Sequence, residues 1–253
     1  MRSNRLKLNA DKTQFMWLGS RQQIQKLRTR SITLDGVDID IAPIAKNLGV
    51  TLDSELTMEA HVNSITRSCF YQLRQLRSVR NSLTRDAALT LVDAFVSSRV
   101  DYCNAIYAGI SEAVARKLQS ILNAAARLVT KTKRFAHITP VLRDELHWLP
   151  VRQRVDYKLA STVYRCLHHT APAYLTSACI PVASIASRRG LRSATHGDLY
   201  IRDIRTVRFG SRSFSSSGPA VWNSLPLDIR NPELTFRNFR SKLKTHLFYT
   251  AYA

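Results

Sequence analysis

The feature of this sequence that most constrains its fold is a series of apolar residues that recur at spacings of three and four between positions 56 and 180. Such spacing places the apolar side chains on one face of an α-helix. The longest stripe predicts a helix of about six turns, and its members are Met58, Val62, Ile65, Cys69, Leu73, Leu76 and Val79.

Two more stripes follow the first, and each begins at a residue suited to an N-cap. Thr84 precedes the second stripe and Ser111 the third. Their members are Ala88, Leu91, Val92, Phe95 and Val96, then Val114, Leu118, Ile121, Ala125 and Leu128. Three amphipathic helices joined by short connections predict a helical bundle.

Further helices are predicted beyond this bundle. Thr139-Pro140 and Leu149-Pro150 mark helix starts, and the second carries the stripe Val151, Val155, Leu159, Val163 and Leu167. A last helix is predicted from Thr235 to Phe248, with the stripe Phe236, Phe239, Leu243 and Leu247.

The first 53 residues have the character of strands. Asp35-Gly36 predicts a tight hairpin turn, flanked by the strands Ser31–Leu34 and Val37–Ile41. Two more strands are predicted over Gln14–Leu18 and Leu48–Leu52. The fold class is therefore α+β and mainly α: a short N-terminal hairpin or meander, a helical bundle, and a mixed C-terminal domain.

The segment from Ser184 to Ser217 differs in composition from the helical region before it, because serine, arginine and glycine dominate it. The segment is either a long ordered loop or partly disordered, with one strand-like stretch near Thr206–Phe209. Trp222, between Pro219 and Pro226, has two interpretations. It stacks on bases, or it fills a small core under a loop, and the second is the commoner arrangement.

The charge of the chain points to a polyanionic partner. Lys and Arg exceed Asp and Glu by 20, and nucleic acid is the first candidate for such a basic chain. The alternative is a basic protein that never meets nucleic acid. We find no apolar stretch of signal-peptide or membrane-spanning length, so we expect an intracellular protein, nuclear or cytoplasmic, that is neither secreted nor bound to a membrane.

No metal site is predicted from the cysteines, which are far apart. Zinc is bound by cysteine and histidine side chains, and four such residues fall within positions 166–179: Cys166, His168, His169 and Cys179. The adjacent histidines on a predicted helix point to different faces, so they do not converge on one ion. Asp38 and Asp40 alternate with apolar residues, as expected for the solvated face of a strand.

Three groups of residues carry a resemblance to a known family. Leu8-Asn9 and Lys12-Thr13, followed by an apolar strand, are similar to the fourth palm motif of reverse transcriptases. Leu48-Gly49-Val50 with Leu52-Asp53 resembles the primer-grip motif that follows it. The run from Arg208 to Phe214 and the run from Gly218 to Pro226 resemble the C-terminal extension found in non-LTR, LINE-type and jockey-like, retrotransposons.

The resemblance implies four regions: the last palm strands (1–53), a helical thumb (54–134), a helical C-terminal domain (135–182) and a basic tail with a terminal helix (183–253). It also implies that the rest of the palm and the fingers are missing partners. The expected ligand is the phosphate backbone of a template–primer, either an RNA–DNA hybrid or a duplex. The residues expected to contact it are Lys12, Leu48, Gly49, Arg67, Arg74 and Arg77.

Each cation has a plainer interpretation as well. The resemblance places Lys12 near the departing pyrophosphate, yet without catalytic aspartates beside it an ordinary lysine at a strand end is simpler. Arg67 and Arg74 also fit the solvated face of a helix. No Asp-Asp pair occurs in the sequence. The chain opens inside what resembles the fourth palm motif, so the resemblance implies that any catalytic aspartates lie upstream of Met1.

The sequence leaves open whether the chain is an enzyme, because the family that it resembles is an RNA-directed DNA polymerase but the chain itself has no Asp-Asp pair. Nucleotidyl transfer needs carboxylates that hold two divalent ions, so we predict no catalytic residue, no metal and no cofactor in this chain, and no activity of the chain alone. Mg²⁺ is expected only in the complete polymerase. The alternatives are a basic nucleic-acid-binding module retained by the host and a helical interaction domain that meets an acidic partner.

Overall fold

The structure is a computed structural model, and it describes residues 9–202, 204, 206 and 209–253. The chain divides into two compact units, Met1–Ile65 and Thr66–Ala253, and the division falls inside one continuous helix. The described residues are mainly helical, with short strands near the N-terminus, which confirms the predicted α+β class. Leu8 of the predicted palm motif, Arg208 of the predicted extension and part of the predicted strand Thr206–Phe209 lie outside the described residues.

The first unit is built around two antiparallel β-hairpins. Their strands are β1 (Ser31–Leu34), β2 (Val37–Asp40), β3 (Ile44–Asn47) and β4 (Val50–Asp53). A 3₁₀ turn at Ala10–Lys12 and the short helix α1 (Arg21–Gln25) precede them. The predicted strand Gln14–Leu18 is wrong, because Phe15 makes only an isolated bridge to Ile41.

Both hairpins turn on a pair of residues with positive φ. Asp35 and Gly36 have φ of 50° and 83°, as the sequence predicts, and Leu48 and Gly49 have φ of 46° and 83°. Positive φ at both central positions is the geometry that matches the twist of the flanking strands. The predicted strand Leu48–Leu52 therefore begins two residues too early, because Leu48 and Gly49 form the turn and β4 starts at Val50.

The chain enters the helix α2 (Glu59–Val79) through a turn that Asp53 stabilises. The Asp53 carboxylate accepts hydrogen bonds from the backbone N–H of Thr57 (2.8 Å) and of Met58 (2.9 Å) and from the Thr57 hydroxyl (3.1 Å). Leu56 and Met58 have positive φ there, at 49° and 66°. The bonds to Asp53 offset the steric cost of that conformation in residues with side chains.

The stripe predicted for α2 is buried from Met58 to Leu76, apart from the half-buried Ile65. Val79 is the exception and is 49% exposed. It lies at the end of the helix, where the chain tightens into a 3₁₀ turn at Arg80–Ser82, so the α-helical spacing no longer applies.

The second unit is a helical assembly in which the predicted caps are present. Its further helices are α3 (Arg85–Val92), α4 (Ser98–Asp101), α5 (Glu112–Thr130), α6 (Val151–Leu167), α7 (Ala173–Thr176), α8 (Arg192–Thr195), α9 (Phe214–Asn223) and α10 (Phe236–Tyr252). Thr84 accepts from the N–H of Ala87 (3.2 Å) and Ser111 from that of Val114 (3.4 Å). All five residues of the stripe predicted for α5 are buried.

A π-helical turn, Asp93–Ser97, joins α3 to α4. A π-turn holds more residues than an α-turn, so residues that lie four apart stay on the same face of the helix. Ala88, Val92, Val96 and Val100 follow this spacing, and all four side chains are buried. Phe95, which the α-helical pattern assigned to the core, is instead exposed. A second π-turn, Val141–Glu145, follows the predicted helix start at Pro140.

The C-terminal helices pack on α6 around one core. Its buried members are Leu149, Ala160, Val163, Tyr164, Cys166, Cys179, Leu199, Trp222, Leu225, Ile229, Phe239, Leu243 and Leu247. The last helix was predicted as Thr235–Phe248, and α10 runs from Phe236 to Tyr252 with Thr235 as its N-cap.

The sequence did not predict α9, because Gly218-Pro219 reads as a break. Packing overrides this preference. A Cβ on Gly218 would lie 3.0 Å from the Phe214 ring and 3.1 Å from the Val163 side chain, so the missing side chain lets α9 approach α6 closely.

Candidate nucleic-acid interface

Arg67, Arg74 and Arg77 lie on the exposed part of α2, as predicted. Spacings of seven and three place their Cα atoms near one line along the helix. Phe70 and Tyr71 are exposed between them. Among the described residues, no carboxylate lies within ion-pair distance of these three arginines. The surface therefore combines uncompensated positive charge with aromatic rings.

Arg77 also lines a cavity of about 410 Å³ with Arg127 of α5 and Arg134 of the loop after α5. The other described lining residues are Ala124, Leu128 and Thr132, and none of these wall residues carries a carboxylate. Guanidinium groups present several N–H donors in a plane and bind phosphate in a bidentate manner. A cavity lined by three of them is suited to an anion.

One of these guanidinium groups, that of Arg127, is held by hydrogen bonds within the protein. Arg127 donates to the carbonyl oxygens of Asn123 (3.5 Å) and Ala136 (3.3 Å). The guanidinium carbon of Arg134 lies 5.6 Å from the centre of the Phe135 ring, and Phe135 is 93% exposed. The cavity therefore opens beside a loop that presents an aromatic ring to solvent.

Arg80, three residues after Arg77, is buried and has a different role. Its Nε donates to the carbonyl of Leu128 (2.8 Å), one Nη to that of Val129 (2.7 Å) and the other to that of Leu83 (2.8 Å). Leu128 and Val129 belong to the last turn of α5, whose carbonyls lack partners within the helix. Arg80 therefore fixes the end of α5 beside the end of α2 and so positions Arg77 relative to Arg127.

Arg127 and Arg134 were not predicted from the sequence as ligand-binding residues. Lys131, Lys133 and Arg134 follow the third predicted helix, where positive charge is favourable for the helix itself. The signal that could have found them is that the ends of two predicted helices, at Arg77 and at Arg127, both carry cations.

The remaining predicted residues belong to the first unit. Lys12 is exposed at the end of the 3₁₀ turn Ala10–Lys12. Leu48, which is 83% exposed, and Gly49 form the tip of the β3–β4 hairpin. The structure thus brings Leu48 and Gly49 together at a solvent-facing turn, and it places the three arginines on the surface of the second unit.

Trp222 is a core residue. It is 3% exposed, its indole N–H donates to the Gly197 carbonyl (3.3 Å), and its ring centre lies 5.8 Å from that of Phe239. The interpretation of Trp222 as filling a core is confirmed, and base stacking by Trp222 is wrong because the ring is not accessible.

The cysteine and histidine group considered for zinc packs differently. Burial raises the pKa of the Cys179 thiol to about 12 and also raises that of Cys166. His168 stacks on Tyr164 at 4.0 Å between ring centres. Among the described residues, His, Cys, Asp and Glu side chains form no group of three that could hold a metal ion. Nor does any helix in the described ranges combine the length and the apolar character that crossing a membrane requires.

Comparison with known proteins connects part of this chain to a transposon polymerase. Over 119 residues, 46% of the chain, it is 30% identical to a "Probable RNA-directed DNA polymerase from transposon BS" of Drosophila melanogaster. The chain spans 13% of the length of that protein. No protein-family model matches the chain, and no solved structure matches it significantly. Part of the chain is therefore related to a transposon RNA-directed DNA polymerase.

Proposed function

We propose that this chain is the C-terminal part of the reverse transcriptase of a non-LTR, jockey-like retrotransposon, and that its helical unit binds the phosphate backbone of a template–primer duplex. The observation that carries the proposal is the position of Arg77. It belongs to the exposed arginines of α2 and also lines the cavity with Arg127 and Arg134. One continuous basic surface, made of Arg67, Arg74, Arg77, Arg127 and Arg134, therefore follows α2 and turns onto the end of α5.

This basic surface is suited to a backbone rather than to a base sequence. Arg67 and Arg77 are ten residues apart on one helix, which corresponds to about 15 Å at 1.5 Å per residue. Cations spread over that distance contact several successive phosphates, and phosphate contacts position a protein on a duplex without reading its sequence. The net charge of +20 adds long-range attraction that is sensitive to salt.

The same proposal assigns the chain a binding role rather than a catalytic one. In the complete polymerase, two divalent ions held by carboxylates stabilise the attacking and leaving oxygens. The fourth palm motif and the primer grip that the sequence resembles would lie in the first unit, with Lys12 and the Leu48-Gly49 turn exposed toward nucleic acid. Catalysis would then require the rest of the palm and the fingers of the complete polymerase.

The test is a charge-reversal variant of the basic surface. Arg67→Glu, Arg74→Glu and Arg77→Glu are combined in the full chain, and binding to a labelled RNA–DNA hybrid is measured by fluorescence anisotropy across a salt series. Each lost phosphate contact lowers the slope of log affinity against log salt by about 0.9, so the slope should fall by about 2.7.

A matched control separates a local effect from a change of net charge. Arg116→Glu, Arg189→Glu and Arg237→Glu alter three other exposed arginines and change the net charge equally. The control should keep the slope of the unmodified chain, and far-UV circular dichroism should show that both variants fold. Equal losses in the two variants would contradict the proposal.

A further inference from the structure

A second cavity of about 410 Å³ lies between α4, the segment before α6, α6 itself and α10. Among the described residues, four cations line it, Arg154, Lys158, Arg240 and Lys244, together with one carboxylate, that of Asp101. The described lining therefore carries a net charge of +3. The volume falls in the range of about 300–1,000 Å³ that is typical of small-ligand sites.

Two of the four cations are fixed in place by the protein. Arg154 donates to the Asp101 carboxylate and to the Leu149 carbonyl, each at 2.7 Å. Arg240 donates through Nε to the Tyr157 hydroxyl at 2.7 Å. Donors held in this way lose little conformational entropy when a ligand binds.

Lys158 and Lys244 complete the charge of the cavity. Both are exposed, and neither lies within ion-pair distance of a carboxylate in the described part of the chain. Their ammonium groups are free to meet a phosphate that enters from solvent.

Planar rings form another part of the wall. Trp148, Tyr157 and His147 line the cavity. Trp148 and Tyr157 are partly exposed rather than buried, in contrast with Trp222. Aromatic rings beside cations are the arrangement with which proteins hold unpaired bases, because every base offers a π-face for stacking.

We propose that this cavity binds a nucleotide unit of a single-stranded nucleic acid, with the phosphate near Lys158, Arg240 and Lys244 and the base against Trp148 or Tyr157. A base inside a duplex is stacked on its neighbours and cannot reach such a wall. The cavity is therefore specific for single strands and is separate from the basic surface of α2, which follows a duplex.

The first experiment measures anisotropy with a labelled single-stranded oligonucleotide across a salt series, using the full chain. Lys158→Glu combined with Lys244→Glu should lower the affinity at least tenfold. The slope should fall by about 1.4, at about 0.7 for each phosphate contact to a single strand. Arg116→Glu combined with Arg237→Glu is the matched control, and it should keep the slope. Equal losses in the two pairs would overturn the proposal.

The same variants, measured with a duplex, separate this proposal from the preceding one. The Lys158 and Lys244 pair should leave duplex binding unchanged, and the triple variant of α2 should leave single-strand binding largely intact. If only the α2 variant has an effect, and on both probes, the cavity is not a binding site. If only the cavity variant has an effect, and on the single strand, the inference stands and the proposed duplex function fails.

Photocross-linking locates the base. An oligonucleotide that carries 5-bromouracil should cross-link to the peptide that contains Trp148 or Tyr157, and cross-links confined to other peptides would contradict the proposal. A mononucleotide that competes as well as the oligonucleotide would show that the cavity takes a free nucleotide, which would overturn its assignment to a strand.

Discussion

Replacing Arg80 by methionine should destabilise the second unit strongly, although the change keeps much of the side-chain volume. Arg80 is 8% exposed and donates to three backbone carbonyls, those of Leu83, Leu128 and Val129, at 2.7 to 2.8 Å. A buried carbonyl left without a donor costs about 1–3 kcal/mol. The carbonyls of Leu128 and Val129 are buried and that of Leu83 is partly buried, so the loss should be at least about 2 kcal/mol, a large part of the stability of an ordinary domain.

The assay is urea unfolding of the full chain followed by far-UV circular dichroism, with the midpoint compared at constant m. Arg77→Met is the matched control, because Arg77 is exposed three residues earlier, and it should change stability by less than about 0.5 kcal/mol. Arg80→Lys should restore only part of the loss, since an ammonium group cannot reach three separated carbonyls in the planar geometry of a guanidinium. A loss below about 1 kcal/mol for Arg80→Met would refute the capping role.

Three further predictions follow from individual contacts. Asn223 accepts from the N–H of Leu199 and donates to its carbonyl, both at 2.8 Å, so Asn223→Asp should cost about 1–3 kcal/mol and speed amide exchange around residues 197–200. Leu48 has φ of 46° in the β3–β4 turn, a conformation that asparagine adopts more readily than leucine. Leu48→Asn should therefore stabilise that hairpin by about 0.5–1 kcal/mol, which would be seen as slower amide exchange in β3 and β4. Faster exchange would contradict the turn geometry. Burial lowers the pKa of His61 below its ordinary 6.5, so the unfolded chain binds the proton more readily than the folded chain. Stability should therefore be fully present above about pH 6.5 and decline below it. His61→Asn should flatten the acid side of a plot of the urea midpoint against pH.

The helices were predictable where the apolar spacing was long and regular. The stripe of α5 and the caps at Thr84 and Ser111 were read correctly, because local pattern and tertiary burial agree there. The pattern failed where the backbone departs from α-geometry. Phe95 was assigned to the core because the π-turn, which resets the register, leaves no mark in the spacing of the residues.

The turn at Leu48-Gly49 shows a second limit. A leucine with positive φ is uncommon, so the pattern favoured a continuous strand, whereas the pairing of β3 with β4 selects the turn. In the same way, Gly218-Pro219 predicts a break, and only the close packing of α9 on α6 explains a helix there.

The candidate site was predictable in part. The exposed arginines of α2 follow from helical periodicity, since they lie opposite a long apolar stripe. The cavity that Arg77 lines with Arg127 and Arg134 could not be predicted from helical periodicity, because it depends on how the ends of α2 and α5 meet. Nor does the sequence distinguish Arg77 from Arg80, two arginines three residues apart, of which one faces solvent and the other caps α5.

The most direct test of the central claim, that the helical unit of this chain binds the backbone of a nucleic-acid duplex, is the salt dependence of binding to an RNA–DNA hybrid by the unmodified chain. Contacts from at least Arg67, Arg74 and Arg77 predict a slope of log affinity against log salt of about −2.7 or steeper, at about 0.9 for each phosphate contact. Absent binding, or binding that does not respond to salt, by a chain that circular dichroism shows to be folded would contradict the claim.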